Sequence, residues 1–353
     1  MARFTDVFED VTKQGTKIPT NLYLESGMHP IIDQGQSQIA GYTNETEGVF
    51  TDIPAIVFGD HTRIIKYVDA PCFLGADGVK LLKAKDPTAN YKYLYYALCN
   101  ADIPNTGYNR HFKWLKEIDI PEYSVQEQIA IVDQLVTIDS LISLRKQQLS
   151  KLDELVKSRF IEMFGNPVSN DKGWQHQAMD KVAPSSAGRG DNSETVWLLN
   201  LDMVEAQTGR ILDYLYVGKE QVGTSTCAFD EGNVLYSKLR PYLNKVVVPT
   251  KKGYCTTELI PLRPNAKLNR QFLAYLLRSE AFVSFINEKV AGAKMPRVSM
   301  SVFRDFECIL PPIVLQNEFV TFVEQIDKSK FEIQKSLEKL ETLKKALMQK
   351  YFG

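Results

Sequence analysis

The chain has 353 residues, of which 44% are hydrophobic and 24% are charged, and its formal net charge at pH 7 is −1. This composition is typical of a soluble globular protein of two or three domains, and it excludes a disordered, fibrous or uniformly basic chain. No run of residues approaches the roughly 18 apolar positions of a membrane span. No basic and then apolar leader follows Met1. We therefore expect a cytoplasmic protein with no membrane partner.

Motifs for catalysis or metal binding are not found in the sequence. The five cysteines are scattered and never in a C-x-x-C spacing, and the four histidines stand apart from acidic or cysteine partners. There is no G-x-x-x-x-G-K-[ST] phosphate loop and no recognisable nucleophile motif. We therefore expect reduced cysteines, no metal, no cofactor and no enzymatic activity in this chain.

Residues 1–122 combine short β-like runs with turn signals. The strand-like runs are residues 31–32, 56–58, 64–68 and 79–82. A helix is predicted over residues 91–100, and residues 118–121 are predicted to be extended and to lead into a long helix. This order of elements predicts an α+β globule.

Residues 123–166 predict one helix of roughly 35 to 40 residues, because apolar positions recur at alternating steps of three and four. The rungs of this ladder are Leu135, Ile138, Ile142, Arg145, Leu149, Leu152, Val156, Arg159 and Met163. A stripe this narrow buries well only against a second helix with a matching stripe.

Residues 166–173 are rich in turn formers and predict a linker, and residues 167–309 predict a second globule. Its strand-like runs are residues 197–199, 234–236, 246–248 and 259–260, and a helix is predicted from Arg270 to about Lys289.

The two globules are diverged duplicates, because residues match between them in one constant alignment. The matched pairs are Asn90 with Asn269, Leu94 with Leu273, Tyr96 with Tyr275 and Leu98 with Leu277. We call this alignment the globule register. The second globule has nine extra residues around positions 290–294. Two similar scaffolds with different loops suggest two different specificities.

Residues 310–353 repeat the first long helix. One alignment, which we call the helix register, pairs Gln128 with Gln316 and holds to the end of the chain, where it pairs Phe164 with Phe352. The rungs of the second ladder are Val323, Ile326, Lys330, Ile333, Leu337, Leu340, Lys344, Leu347 and Tyr351. The shared phase predicts that the two helices pair as a coiled coil, with two separate surface helices as the alternative.

Some apolar residues of the two long helices lie outside the predicted seam. These residues are Ile131, Leu141, Leu144, Phe319 and Phe322. They either bind partner helices or pack on the chain's own globules.

Three windows, residues 106–116, 236–254 and 289–304, contain basic residues with aromatic or amide neighbours. Because the net charge is near zero, any nucleic-acid surface must be local, and such windows are its expected signature. Ordinary solvated loops are the alternative. The candidate DNA-binding residues are Tyr108, Asn109, Arg110, Lys113, Lys238, Arg240, Tyr242, Asn244, Lys294 and Arg297.

Four stretches carry a family resemblance: residues 120–128 (IPEYSVQEQ), 155–166 (LVKSRFIEMFGN), 233–246 (NVLYSKLRPYLNKV) and 309–316 (ILPPIVLQ). They resemble the specificity subunits of type I restriction-modification systems, and the likeness extends over essentially the whole chain. The first stretch departs from the family pattern, with Glu122-Tyr123-Ser124 where a Leu-Pro-Pro-like turn is usual.

The resemblance implies two α/β target-recognition domains, residues 1–122 and 167–309, joined by two conserved helical regions, residues 123–166 and 310–353. The helices would form an antiparallel coiled coil, with an internal pseudo-two-fold that arises from tandem duplication. Each domain would read one half of a bipartite, asymmetric site, and the helix length would set the spacer between the halves.

The resemblance also implies a non-catalytic subunit that reads double-stranded DNA and recruits two modification (adenine methyltransferase) subunits, with restriction subunits joining the complex. S-adenosylmethionine would be bound by the modification subunits. Two other functions stay open. A stand-alone sequence-specific DNA-binding regulator would share the basic loops, and a coiled-coil scaffold would share the helices.

Overall fold

The computed structural model of the chain describes residues 1–75, 77–290 and 296–353. The chain forms two compact units. Unit 1 is Met1–Lys146 together with Gln334–Gly353, and unit 2 is Gln147–Ile333. Each unit therefore contains one globule and one part of each long helix. None of the described helices is long and apolar enough to cross a membrane.

Short strands and helices build the globule of unit 1. The strands are β1 (Ala2–Arg3), β2 (Phe8–Asp10), β3 (His29–Ile32), β4 (Gly41–Thr43), β5 (Ala55–Gly59), β6 (Ile65–Val68), β7 (Phe73–Leu74), β8 (Val79–Ala84) and β9 (Asp119–Ile120). The helices are α1 (Phe4–Val7), α2 (Tyr91–Cys99) and α3 (Phe112–Leu115). The four strand-like runs predicted for this globule correspond to β3, β5, β6 and β8, and the predicted helix corresponds to α2.

The core of this globule lies on the antiparallel sheet β2-β8-β5-β6. Strand β5 runs through its middle, and residues 55–58 are fully buried because both faces are covered. The Asn90 side chain begins α2 by accepting a hydrogen bond from the N–H of Tyr93 at 3.2 Å. A second sheet has the order β4-β3-β7, in which β3 and β7 run parallel.

The first long helix, α4 (Val125–Phe164), joins the two units. The strands of unit 2 are β10 (His176–Ala178), β11 (Thr195–Leu199), β12 (Leu215–Gly218), β13 (Thr226–Phe229), β14 (Val234–Ser237), β15 (Val246–Val247), β16 (Gly253–Thr256), β17 (Leu259–Leu262) and β18 (Glu307–Ile309). The helices of its globule are α5 (Met179–Val182), α6 (Arg270–Arg278), α7 (Glu280–Lys289) and α8 (Met300–Arg304). The sheet pattern repeats that of unit 1, since β11 runs parallel to β16 as β3 does to β7.

The single helix predicted from Arg270 to about Lys289 is wrong, because the structure divides it at Ser279. The backbone of Ser279 is extended, with φ −62° and ψ 144°. Its hydroxyl oxygen accepts a hydrogen bond from the N–H of Phe282 and so begins α7. Residues 291–294 of the predicted insertion lie outside the described part of the chain.

The second long helix, α9, runs over Ile313–Phe352 and, like α4, has 40 residues. Every rung of both predicted ladders is buried or half-buried. Within each unit the two helices run antiparallel, as their side-chain contacts show. In unit 1 Asp139 pairs with Lys344 at 2.6 Å and Lys146 pairs with Glu341 at 3.3 Å. In unit 2 the ion pair between Asp153 and Lys330 and the ring contact between Phe160 and Phe319, at 5.5 Å, show the same direction.

The helices also bind their own globules. Ile131 and Phe319, at 3% and 0% exposure, lie in the cores of unit 1 and unit 2, so the alternative of packing on the chain's own globule is correct for both. Phe322 is half-buried against the core of unit 2. Leu141 and Leu144 are exposed, at 39% and 53%.

The end of α4 completes the core of unit 2 with an aromatic cluster. The ring of Phe164 lies 4.7 Å from that of Phe272 in α6 and 5.5 Å from that of Phe319 in α9. The duplicate contact in unit 1 joins Phe352 to Tyr93 at 5.3 Å. The helix register pairs Phe164 with Phe352, and the globule register pairs Tyr93 with Phe272. The contact between the end of a long helix and its globule is therefore equivalent in the two units.

Candidate nucleic-acid interface

In unit 1, residues 106–111 lie against the turn that joins β5 to β6. The N–H of His111 donates to the carbonyl oxygen of Asp60 at 2.8 Å, and the N–H of Phe112 donates to the Asp60 carboxylate at 2.7 Å. Asp60 and His111 are 3% and 0% exposed. Because buried acceptors must stay paired, these bonds fix the segment onto the turn.

We use the name surface 1 for the solvent-facing side of this contact, which consists of residues 61–63 and 106–110. Tyr108 is 87% exposed, and its ring stacks on the ring of His61 with centroids 4.6 Å apart. The Nδ1 atom of His61 lies 3.1 Å from the carbonyl oxygen of Asn109. Side chains that are already fixed lose little conformational entropy when they bind a partner.

The predicted basic residues at surface 1 face solvent. Arg110 is exposed, and its guanidinium has no hydrogen-bond or ion-pair partner among the residues that the structure describes. Lys113, just beyond the surface, is exposed with its Nζ 4.6 Å from the ring centroid of Trp114. The Arg110 guanidinium is suited to phosphate, because it need not give up an internal partner first.

In unit 2, residues 296–298 lie against the loop that joins β14 to β15. The N–H of Arg240 donates to the carbonyl oxygen of Pro296 at 2.8 Å, and the N–H of Val298 donates to that of Lys238 at 2.8 Å. We name residues 238–245 and 296–299 surface 2. Two of the three basic windows, far apart in the sequence, thus form one surface.

Arg240 has a left-handed backbone conformation, with φ 49° and ψ 64°. This conformation costs a residue other than glycine about 1–2 kcal/mol. The side chain is exposed, and no partner of its guanidinium is found within the described ranges. Nearby, Lys238 is half-buried and Tyr242 is 47% exposed. Such strain is concentrated at functional sites, and here it accompanies a free, exposed cation.

Asn244 belongs to the same loop, but its side chain points inward and is only 7% exposed. Its amide nitrogen donates to the carbonyl oxygen of Arg278 at 3.0 Å and to Oε1 of Gln207 at 3.3 Å. In this conformation Asn244 holds the loop in place and does not offer its amide to a ligand.

The third window contributes less free charge than its sequence indicates. The guanidinium of Arg297 donates to Oε1 of Glu258 at 2.8 Å, so its charge is partly neutralised. Lys294 lies outside the described residues.

Surfaces 1 and 2 share one arrangement, made twice. The globule register pairs His61 with Arg240, and the helix register, extended back along the chain, pairs Asn109 with Arg297. In each globule the segment before a short helix, α3 or α8, docks on the turn that follows the equivalent strand, β5 or β14. The backbone frame is shared while the exposed side chains differ.

The family model of the type I restriction modification DNA specificity domain matches residues 1–154 and 188–345 of this chain. The chain belongs to this family. The resemblance found in the sequence is thereby confirmed.

Individual relatives agree with this assignment. The chain is 26% identical over 153 residues to the EcoDI specificity subunit of Escherichia coli, a match that covers 42% of this chain and 34% of that protein. It is 22% identical over 322 residues to the MjaVIII specificity subunit of Methanocaldococcus jannaschii, with 78% and 74% covered. The chain thus spans about a third of the length of the first relative and about three quarters of the second.

A solved structure shows the same fold. The S subunit of the type I restriction-modification system from M. genitalium superposes with a TM-score of 0.60 at 18% identity, and the alignment covers 99% of this chain and 95% of that one. The predicted α+β class, with duplicated globules and paired long helices, is confirmed.

In this specificity-family chain, His61 is a residue of surface 1 that the basic windows missed. It stands in a short turn, Gly59-Asp60-His61-Thr62-Arg63, that also contains an acid. The sequence did contain a signal, because the globule register pairs His61 with Arg240, which is in a basic window. Aligning the basic window that contains Arg240 with the first globule through the globule register would have identified the turn that contains His61.

Proposed function

We propose that this chain is the non-catalytic DNA-recognition subunit of a type I restriction-modification enzyme and acts in the cytoplasm. Surface 1 and surface 2 each read one half of a bipartite, asymmetric site in double-stranded DNA. The observation that carries the proposal is the backbone arrangement shared by surfaces 1 and 2, in which a segment before a short helix docks on a turn. The two copies present free arginines at different positions. Two related frames with different exposed groups suit the reading of two different half-sites.

The proposal includes partners. The long helices recruit two modification (adenine methyltransferase) subunits, which bind S-adenosylmethionine, and restriction subunits join the complex. Leu155 in α4 and Leu343 in α9 support two copies of one partner, because they are equivalent under the helix register and similarly exposed, at 46% and 48%. Large apolar side chains that stay exposed at equivalent places favour a repeated docking site.

The function can be tested by single-molecule methylome sequencing of a host that expresses the chain with its neighbouring modification subunit. The wild-type pair should produce a methylated-adenine motif in two parts with a fixed gap. Arg110→Ala should weaken or relax only one half, and Arg240→Ala only the other, because each removes one contact from one surface. A lost base contact costs about 1–3 kcal/mol of discrimination, whereas a lost phosphate contact weakens all sites alike and lowers the salt dependence.

Lys267→Ala is a suitable control, because it removes one exposed positive charge from unit 2 at a place outside surface 2. It should leave both halves of the motif intact. No new methylation from two soluble, co-expressed proteins would contradict the proposed function and favour a stand-alone regulator or a scaffold.

A second prediction concerns the gap between the half-sites. We infer that its length follows that of α4 and α9. Seven residues inserted after Lys146 and seven after Ile333, where the chain passes between the units, keep the phase of the ladders. Each insertion lengthens its helix by about 10.5 Å, which corresponds to about three base pairs. The methylome should show a gap about three base pairs longer with both half-sites unchanged. Altered half-site letters would count against this role of the helices.

A further inference from the structure

We propose that Gln36 is a base-reading residue of unit 1 and that residues 33–38, the loop after β3, form a third part of surface 1. The inference rests on the proposed function, which it deepens by naming a group that contacts a base edge. The base expected from the chemistry of its amide is adenine.

The loop lies directly against surface 1. The N–H of His61 donates to Oε1 of Gln34 at 3.2 Å, and the hydroxyl of Thr62 donates to the carbonyl oxygen of Gln34 at 2.6 Å. The other end of the Gln34 amide donates to the carbonyl oxygen of Asp77 at 3.2 Å. Gln34 therefore uses its whole amide to hold the loop beside the turn that carries His61.

A buried lysine fixes the loop from inside the globule. Lys66 is 2% exposed, and its Nζ donates to the carbonyl oxygen of Ser37 at 2.5 Å and lies 3.3 Å from the Asp33 carboxylate. The same carboxylate accepts from the N–H of Gly35 at 2.8 Å. Burial lowers the pKa of Lys66, and its bond to Asp33 opposes that shift. These contacts make the loop a fixed platform, which is what a precise contact requires.

Asp33, Gln34 and Gln38 of this loop use their side chains in internal hydrogen bonds, whereas, within the described part of the chain, Gln36 and Ser37 do not. The Gln38 amide donates to the carbonyl oxygen of Tyr67 at 2.6 Å. Gln36 is exposed, and its amide has no partner among the described residues. A glutamine amide presents a donor and an acceptor side by side, and adenine presents the complementary N6 donor and N7 acceptor in the major groove.

Unit 2 contains the same support under a loop of different chemistry. Lys245, which the globule register pairs with Lys66, donates to the carbonyl oxygen of Leu201 at 2.8 Å. Gln207 donates to the carbonyl oxygen of Tyr242 at 2.9 Å and so joins residues 200–209 to surface 2. In both globules, therefore, the loop that follows β3 or β11 is held against the turn that belongs to surface 1 or surface 2. Its exposed side chains differ, as reading elements for two half-sites must.

For the test, the full chain is co-expressed and purified with its neighbouring modification subunit. The purified complex is then used to select duplexes from a random-sequence DNA library. The wild-type complex should select a bipartite motif with an adenine at a position of the first half. Gln36→Ala should reduce the preference at that position about 5- to 150-fold and leave the other letters unchanged. Gln36→Glu should shift the preference from adenine toward cytosine, because a carboxylate only accepts and cytosine offers the N4 donor.

Gln14→Ala is the matched control, since it removes an exposed amide from the same globule at a place outside surface 1 and outside residues 33–38, and it should retain every letter. A purely structural role for Gln36 predicts equal weakening at all positions, and this result would overturn the inference. Unchanged letters in Gln36→Ala, beside a bipartite wild-type motif, would overturn it too and leave the proposed function standing. A wild-type complex that selects no motif would instead defeat the proposed function itself.

Discussion

Replacing Phe164 with alanine is expected to lower the free energy of unfolding of unit 2 by about 3–5 kcal/mol. Phe164 is fully buried and joins α4 to Phe272 of α6 and Phe319 of α9. Its removal leaves a cavity among three packed elements, which cannot all move inward together. Chemical denaturation can be followed through Trp174, because its indole N–H donates to the carbonyl oxygen of Phe164 at 2.9 Å.

Phe352→Ala is the matched control in unit 1. Phe352 occupies the equivalent position under the helix register and contacts Tyr93, but it is half-buried. Less apolar surface is lost there, so the destabilisation should be less than half that of Phe164→Ala. Equal losses of stability in the two variants would contradict the expectation that the more deeply buried Phe164 contributes more to its core than Phe352 does.

Asp230→Asn is expected to cost unit 2 about 2–3 kcal/mol at neutral pH, because it removes one partner of a largely buried ion pair. The Asp230 carboxylate is 11% exposed and lies 2.8 Å from the Arg263 guanidinium, which still reaches water at 34% exposure. It also accepts from the N–H groups of Arg189 and Gly232, each at 2.8 Å. The substitution therefore loosens the turn before β14 as well as the ion pair.

The effect of this substitution should depend on pH with a definite sign. Hydrogen bonds from Arg263 hold the pKa of Asp230 well below its usual range, against the opposing effect of burial. Since the folded-state pKa lies below the unfolded value of about 3.9, the charged carboxylate stabilises unit 2 fully above about pH 5. This stability is lost as pH falls through the folded-state pKa. Denaturation at pH 7, 5 and 3.5 should show a constant difference from wild type at the first two and a smaller one at the third.

Glu280→Gln provides the control, because the ion pair of Glu280 with Lys157 is exposed, at 87% and 65%. Such a pair contributes under about 1 kcal/mol. A difference between wild type and Asp230→Asn that grows on acidification would contradict the proposed electrostatics.

The long helices could be predicted from sequence, because their seams are specified by many residues at once. A ladder of alternating three- and four-residue steps that occurs twice in the same phase is compatible with few structures other than two paired helices. The rungs are buried or half-buried, as this pairing requires. The break at Ser279 could not be predicted in the same way. A serine is compatible with a helix interior and with an N-cap, and only the packing of α6 and α7 decides between them.

The interface was predictable in charge but not in arrangement. The windows around Arg110 and Arg240 were found because exposed basic loops leave a compositional signature. The docking of residues 296–298 on residues 238–240 depends on tertiary contacts that no local pattern encodes. Gln36 gives no sequence signal at all, because its freedom is visible only once the contacts of the neighbouring glutamines are known.

Unit 1 is assembled from two separate stretches of chain, whereas unit 2 is one continuous stretch. During synthesis, therefore, residues 1–146 cannot complete the core of unit 1 until residues 334–353 have been made as well. Unit 2, although it comes later in the sequence, has all its residues available earlier and can fold first. The seam positions of α4 within unit 1, among them Leu135, stay uncovered for that interval, and exposed apolar surface of this kind is prone to aggregation.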